Sequence, residues 1–197
     1  KRISSSAALQ QGNWRPNVGS PNLRTDRICL RFLRKRDVPS LTKHIRRKQV
    51  ARYTLIPHPY TEKDGYKFLE LSRKQLRNGT GYHLSIEDRA TGEIIGGIGL
   101  NSLNRRHNNA EVGYWLSPDY HGRGIMVEAL KLALRHFFRR FGFERIHAHV
   151  DINNIPSIKV LERSGFTREG CLRRAIKNHG RYRTIYMYGL LKNELRR

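Results

Sequence analysis

Residues 120 to 126 read "YHGRGIM", and the triplet Gly122–Arg123–Gly124 stands between a strand-like run, "AEVGYWL", and a long helical one, "VEALKLALRHFF". The start of a helix leaves backbone N–H groups unpaired and carries about half a unit of positive charge. Glycines just before that start let the chain bend so that several N–H groups converge on one anion with no Cβ in the way. Arg123 adds a full charge. The chemistry this suits is the binding of a phosphate or pyrophosphate. Two other phosphate loops are excluded: no Gly-Lys-Ser/Thr follows, and the third glycine and βαβ start of a dinucleotide fingerprint are absent. A Gly-x-Gly pair before a helix also serves as a plain turn, so the surrounding residues must decide.

Other reactive groups are sparse. His147 and His149 share a strand face in "RIHAHVD", but no third ligand accompanies them, so no metal site is expected. Tyr182, Tyr186 and Tyr188 alternate onto one face of the last strand-like run, where core packing is expected and one ring can line a cleft. Cys29 and Cys171 are the only cysteines. Two are too few for a disulfide framework or a zinc site, which points to a reducing compartment, the cytoplasm or the mitochondrial matrix. No stretch approaches ~18 uninterrupted apolar residues, so no membrane span is expected.

Charge is the strongest compositional signal: 39 Lys and Arg against 16 Asp and Glu, a formal +23. Solubility asks for a net charge of roughly 2 to 8. The surplus points to a polyanionic partner, RNA first among them. The first 25 residues hold Lys1, Arg2, Arg15 and Arg24 and the run "SSSAALQQGN". That composition fits an extended basic arm, drawn here as residues 1 to 22, or the remnant of a cleaved organellar targeting sequence. No amphipathic arginine periodicity runs through it, which favours the arm.

The elements that must position these groups follow from periodicity. "RICLRFL" alternates Ile28, Leu30 and Phe32 and reads as a half-buried strand. Asp37 is expected to cap a helix through "VPSLTKHIRRKQV", with Pro39 in its first turn, and Thr61 to cap a second, ended by Gly79. "YHLSIED", "EIIGGIGL" and "AEVGYWL" read as three successive strands. Val127, Leu130, Leu134, Phe137 and Phe141 make one apolar helix face closed by Gly142. "RIHAHVD" is a strand, "PSIKVLERS" a short helix, and "FTREGCLRR" and "YRTIYMYGLL" two final strands. This order predicts an α/β fold in one domain over residues 23–197: a mixed, mostly antiparallel central sheet flanked by helices.

Three segments, "LRTDRICLR", "AEVGYWLSPDYHGRGIMVEAL" and "NNIPSIKVLERSGFTREGCLR", in this order and spacing resemble the GNAT superfamily of acetyltransferases. Within it they are similar to the RimJ/RimL-like ribosomal-protein N-acetyltransferase branch, and the likeness runs from about Leu23 to Leu191. The resemblance implies an acyl-CoA N-acyltransferase fold and acetyl-CoA as co-substrate. Its pyrophosphate would lie on Gly122, Arg123, Gly124, Ile125 and Met126. His121 stands where the family usually has Gln or Arg, a departure that leaves the backbone cradle intact. The resemblance also implies that "AEVGYWL" splays from a parallel neighbour, freeing N–H groups near Tyr114, Trp115 and Leu116 for the pantetheine arm and an oxyanion. Asn154 and Ser157 match the family's Asn-x-x-Ser, the asparagine toward the pantetheine amide and the serine near the sulfur. Asn154 can cap the following helix at the same time. Leu161 occupies the place where many members carry a tyrosine acid, leaving Ser157 or water as proton donor. Glu111, at the start of the central strand, is the candidate general base, direct or through water, with an edge ion pair as its plainer role.

Two functions follow. One is an acetyl-CoA-dependent N-acetyltransferase whose acceptor is a protein amine, the N-terminus of a ribosomal protein foremost. The other is an RNA-binding ribosomal component of the same fold with residual or no catalysis. The motifs favour the first. The charge favours the second, because an enzyme for basic ribosomal proteins is expected to show an acidic acceptor groove.

Overall fold

The computed structural model describes residues 21–178 and 180–195. All but the last two residues of the basic arm, 21 and 22, therefore lie outside the described residues. Eight strands form one sheet: β1 (Leu23–Arg24), β2 (Ile28–Arg31), β3 (Tyr82–Asp88), β4 (Ile94–Asn104), β5 (Asn109–Leu116), β6 (Arg145–Asp151), β7 (Thr167–Asn178) and β8 (Arg181–Leu191). Their spatial order is β1-β2-β3-β4-β5-β6-β8-β7, and every neighbouring pair is antiparallel except β5 with β6. The mixed, mostly antiparallel sheet read from the sequence is the architecture found.

Successive residues of a strand face opposite sides of a sheet. On β5 that alternation sends Val112 and Tyr114 to one hydrophobic cluster and Trp115 to another. The larger cluster takes α4 (Ile125–Phe141) through Ala129, Leu130, Ala133, Leu134 and Phe137, all completely buried, with Leu161 of α5 (Ile155–Arg163). The smaller gathers Leu41 and Ile45 of α1 (Val38–Ile45), Val50 of α2 (Lys48–Ala51) and Leu69 of α3 (Glu62–Asn78) against Ile94 and Trp115. The Trp115 indole lies directly against Gly97, where a Cβ would stand 2.7 Å from Nε1.

Local signals hold at the long helices. Thr61 and Asp64 cap α3 reciprocally, and Gly79 ends it in the left-handed region at φ 67°. Gly142 ends α4 in the same way at φ 65°. Elsewhere tertiary contacts override the reading. The helix expected through "VPSLTKHIRRKQV" is two, broken at Arg47, whose backbone is extended. Asp37 does not cap α1; its carboxylate accepts from Arg31 (2.6 Å) and from the Arg34 amide (2.7 Å). That buried arginine also pairs with Glu87 and is why β2 is not half-buried: all four of its residues are covered. Of the three tyrosines expected in the core, Tyr188 is 1% exposed, Tyr186 is partly buried, and Tyr182 is 56% exposed beneath the Arg174 guanidinium. Tyr182 lies beyond the end of β6, where β8 has only the edge strand β7 for company.

Candidate active site

The parallel pair β5–β6 is short. Asn109, Ala110 and Glu111 face Arg145, Ile146 and His147, and there the pairing stops. β5 goes on pairing with β4 as far as Leu116 opposite Gly96, and β6 with β8 as far as Asp151 opposite Ile185. Each strand thus follows its outer partner, and the sheet opens as a fork. Backbone groups of β5 from Val112 to Leu116 that point across it have no strand partner, so the splay implied by the resemblance is present. The side chains of Trp115 and Leu116 are partly buried and pack against the two hydrophobic clusters.

At the apex, on the side of the sheet that carries α1 to α3, Glu111 Oε1 lies 2.9 Å from His149 Nδ1. The hydrogen bond and charge of Glu111 raise the His149 pKa above the ordinary imidazole value. The same bond to His149 holds the Glu111 carboxyl below its ordinary value, against the opposing effect of burial. With Glu111 ionised, Nδ1 carries the shared proton and Nε2 is the free ring nitrogen. His147, beside it with ring centroids 5.6 Å apart, is pushed down by burial. Sequence reasoning weighed these histidines only as metal ligands and missed the pairing with Glu111. The pairing depends on the parallel register that places residue 111 beside residue 147, which no local signal in the sequence carries. Among the described residues no group of three His, Cys, Asp or Glu stands together as a metal site would need.

On the opposite side of the fork, Tyr114 Oη lies 2.8 Å from Ser157 Oγ and donates to the Ser157 carbonyl at 3.2 Å, tying β5 to the first turn of α5. Burial raises the Tyr114 pKa. Asn154 Oδ1 accepts from the Ser157 amide at 3.3 Å, so the asparagine does cap α5, and its Nδ2 makes no hydrogen bond among the described residues. Leu161 is buried in the core.

Beyond the fork's mouth the chain turns through Pro118–Tyr120 into the glycine loop. Gly122 and Gly124 have φ 76° and 74°, a region other residues enter only with strain, and a Cβ on either would meet nothing within 4 Å. The amides of residues 122 to 127 donate to no backbone carbonyl among the described residues; the first bond of the helix runs from Glu128 N to Gly124 O at 3.1 Å. The outer side of the loop is pinned: Arg27 donates to the Arg123 carbonyl (2.9 Å) and pairs with Glu128, which also takes the Thr25 hydroxyl. "LRTDRICLR" thus supports the cradle from behind. His121 Nε2 is 3.1 Å from the Leu116 carbonyl and is occupied with the turn.

A sheet that forks at a parallel pair, with free helix-start amides at its mouth and a carboxylate–imidazole pair at its apex, is a setting for transferring a group from a phosphorylated carrier. Comparison with known proteins agrees. The family model described as the acetyltransferase (GNAT) domain matches residues 27–167. The chain is 32% identical over 173 residues to the uncharacterized N-acetyltransferase p20 of Bacillus licheniformis, covering 87% of this chain and 97% of that one. It is 32% identical over 96 residues to the ribosomal-protein-serine acetyltransferase of Escherichia coli, about half of each chain (49% and 54%). Among solved structures, Mycobacterium smegmatis RimJ in complex with CoA-disulfide superposes with a TM-score of 0.80 at 25% identity, over 90% of this chain and 89% of that one. The chain belongs to the GNAT family of N-acetyltransferases, and it is an acetyl-transferring enzyme.

Proposed function

We propose that the enzyme transfers acetyl from acetyl-CoA to a protein amine, the N-terminal α-amino group of a ribosomal protein. The observation that carries this is the fork, open opposite Glu111–His149 and edged by free amides. An α-amino group has a pKa near 8 against about 10.4 for lysine, so its neutral form is available with modest help. Gly122, Arg123, Gly124, Ile125 and Met126 would hold the pyrophosphate, and the Asn154 amide with the unpaired edge of β5 would hold the pantetheine arm. His149 Nε2 takes the ammonium proton, with Glu111 fixing the ring and stabilising the imidazolium, so the carboxylate acts through the histidine. Free N–H groups of β5 steady the tetrahedral oxyanion. Ser157, hydrogen-bonded to Tyr114, relays a proton from water to the departing thiolate, and the count closes when His149 gives the ammonium proton back to water.

The test is incubation with acetyl-CoA and peptides bearing ribosomal-protein N-termini, read by mass spectrometry. Mono-acetylation on the α-amine, abolished when that amine is blocked beforehand, is the expected result. Labelling on lysine alone, or none, overturns the reading.

One observation favours the second reading, binding to ribosomal RNA. The edge strand β7 is exposed along most of its length and carries Arg168, Arg173, Arg174 and Lys177, with Arg168 over Tyr186 and Arg174 over Tyr182. Such a cationic, aromatic surface suits a nucleic-acid backbone with unstacked bases. If it engages six phosphates, affinity falls about a thousandfold between 50 and 200 mM salt. A log–log slope near one instead makes it ordinary solvated surface.

A further inference from the structure

On the Glu111 side of the sheet lies a cavity of about 580 Å³ that the reaction above does not use, lined by Lys48, Gln49, Ala51, Arg52, His58 and Arg183. Its lining holds three permanent cations and an imidazole, and no carboxylate. Lys48 and Arg52 make no ion pair among the described residues; the Arg52 guanidinium lies over the Tyr53 ring, 5.1 Å from its centre. Arg183 has one carboxylate near it: Asp151 Oδ2, 3.8 Å from Nε, too far for a hydrogen bond. That Nε is buried and donates to nothing among the described residues. The other oxygen of Asp151 is taken by two N–H groups of Asn153 at 2.8 and 3.1 Å. The cavity is therefore cationic and incompletely neutralised.

Register fixes where it lies relative to the chemistry. His147, His149 and Asp151 share one face of β6 and stand opposite Gly189, Met187 and Ile185 of β8. Arg183, two residues beyond Ile185, is on that same face. Glu111, opposite His147, is on it too. The segment after α1 closes over this side: Val50 packs in the Trp115 cluster, Tyr53 Oη donates to the Asn153 carbonyl (3.1 Å), and Asn178 Nδ2 donates to the Thr54 carbonyl (3.3 Å). An acceptor amine delivered to His149 thus has this cavity further along the same face.

We propose that the cavity selects the acceptor: the substrate is an acidic N-terminal segment whose carboxylate reaches Arg183 and Arg52 while its α-amine reaches His149. This rests on the acceptor being a polypeptide N-terminus. From His149, two residue steps reach the level of Asp151 and Ile185 and four reach that of Arg183, roughly 7 to 13 Å at the rise of a strand. An extended peptide advances about 3.4 Å per residue, which puts the selected carboxylate on the third to fifth residue of the acceptor. A guanidinium offers donors in a fork that matches a carboxylate, so the contact is directional as well as attractive. Part of the surplus charge then steers an acidic substrate, and the lack of an acidic groove is no objection to catalysis.

The experiment uses the full chain, acetyl-CoA, and peptides of one sequence with Asp, Asn or Lys scanned through positions two to seven, read both as kcat/KM and as binding affinity in the presence of CoA. The expected result is a preference of about tenfold or more for Asp over Asn, confined to positions three to five. It should collapse toward one in Arg52→Gln and Arg183→Gln, and Arg183→Lys should keep part of it. Arg52 is exposed, so its variant bypasses any folding defect. Equal binding of Asp and Asn peptides overturns the proposal, as does a preference that survives both glutamine variants. A raised KM for acetyl-CoA in those variants with the peptide preference intact also overturns it, because the occupant is then a phosphate of the cofactor. If no peptide is acetylated but Asp peptides still bind more tightly at positions three to five, the selection stands and the α-amine reading fails.

Discussion

The two ends of the fork are built from different materials. At its mouth the groups proposed to bind the ligand are backbone amides, aimed by Gly122, Gly124 and the start of α4 and braced from behind by Arg27. At its apex the groups proposed to work are side chains from different strands, Glu111 on β5 and His149 on β6, with cationic side chains of α2 and β8 beyond them. A site made of backbone is fixed by local conformation and varies little with side-chain identity. A site made of converging side chains depends on register, and one substitution changes what it does. The mouth suits a co-substrate common to a family; the apex and its surroundings suit an acceptor peculiar to one member.

The largest effect should come from breaking the mouth. In Gly124→Asp a carboxylate enters the anion cradle at a backbone angle that Asp and Asn tolerate better than other side chains. The variant should lose the thermal stabilisation by acetyl-CoA, worth about 2.7 kcal/mol at a hundredfold excess over Kd, and with it all transfer. Gly124→Asn, with the same shape and no charge, should keep a reduced shift. Equal loss in both variants, followed by differential scanning fluorimetry, would assign the effect to backbone strain.

The apex should respond next, by about a hundredfold in kcat for His149→Gln with the acetyl-CoA KM nearly unchanged. The pH dependence separates base from scaffold. His149 must be neutral to accept a proton, and Glu111 raises its pKa above 6.5, so activity should climb with pH above that value. Glu111→Gln removes the cause of the raise, so the climbing limb should move to lower pH while its plateau falls. Stability carries the matching sign. The raised histidine contributes stability that is full below 6.5 and lost as pH rises through its folded value. The depressed carboxyl contributes above its ordinary value and loses that as pH falls through its folded one. Denaturant titration should therefore show Glu111→Gln costing more at about pH 6 than at about pH 9, a window set by these two shifts. A limb that stays in place would mean that His149 is not the group that titrates in it.

The smallest effect belongs to the bridge between the two ends. Tyr114→Phe removes both hydrogen bonds of that hydroxyl to Ser157, about 1 to 3 kcal/mol of stability, and should lower kcat by less than tenfold because Ser157 keeps its hydroxyl. If the two hydroxyls relay a proton as one unit, Tyr114→Phe with Ser157→Ala should cost little more than Ser157→Ala alone. Multiplying losses would mean that the residues act independently.

What the sequence determined by itself was everything carried by short-range chemistry. The glycines and helix start of the cradle, the Thr61–Asp64 cap, the apolar stripe of α4 and the alternating strands are each set by neighbours a few residues apart. The family, and so the fork, was legible because its three motifs stand in order along the chain. Tertiary structure decided what depends on distant segments meeting. Asp37 reads as a cap until Arg31 buries itself against it; "VPSLTKHIRRKQV" reads as one helix until packing extends Arg47; Tyr182 reads as core until β8 outruns β6. His149 reads as a lone imidazole until a parallel register sets it beside Glu111, 38 residues away, and Arg52 meets Arg183 only across the α2–β8 gap. Hydrogen bonds and charges act over a few ångströms of space whatever the separation in sequence, so the proposed anion cradle could be read along the chain and the proposed acceptor pocket only across the fold.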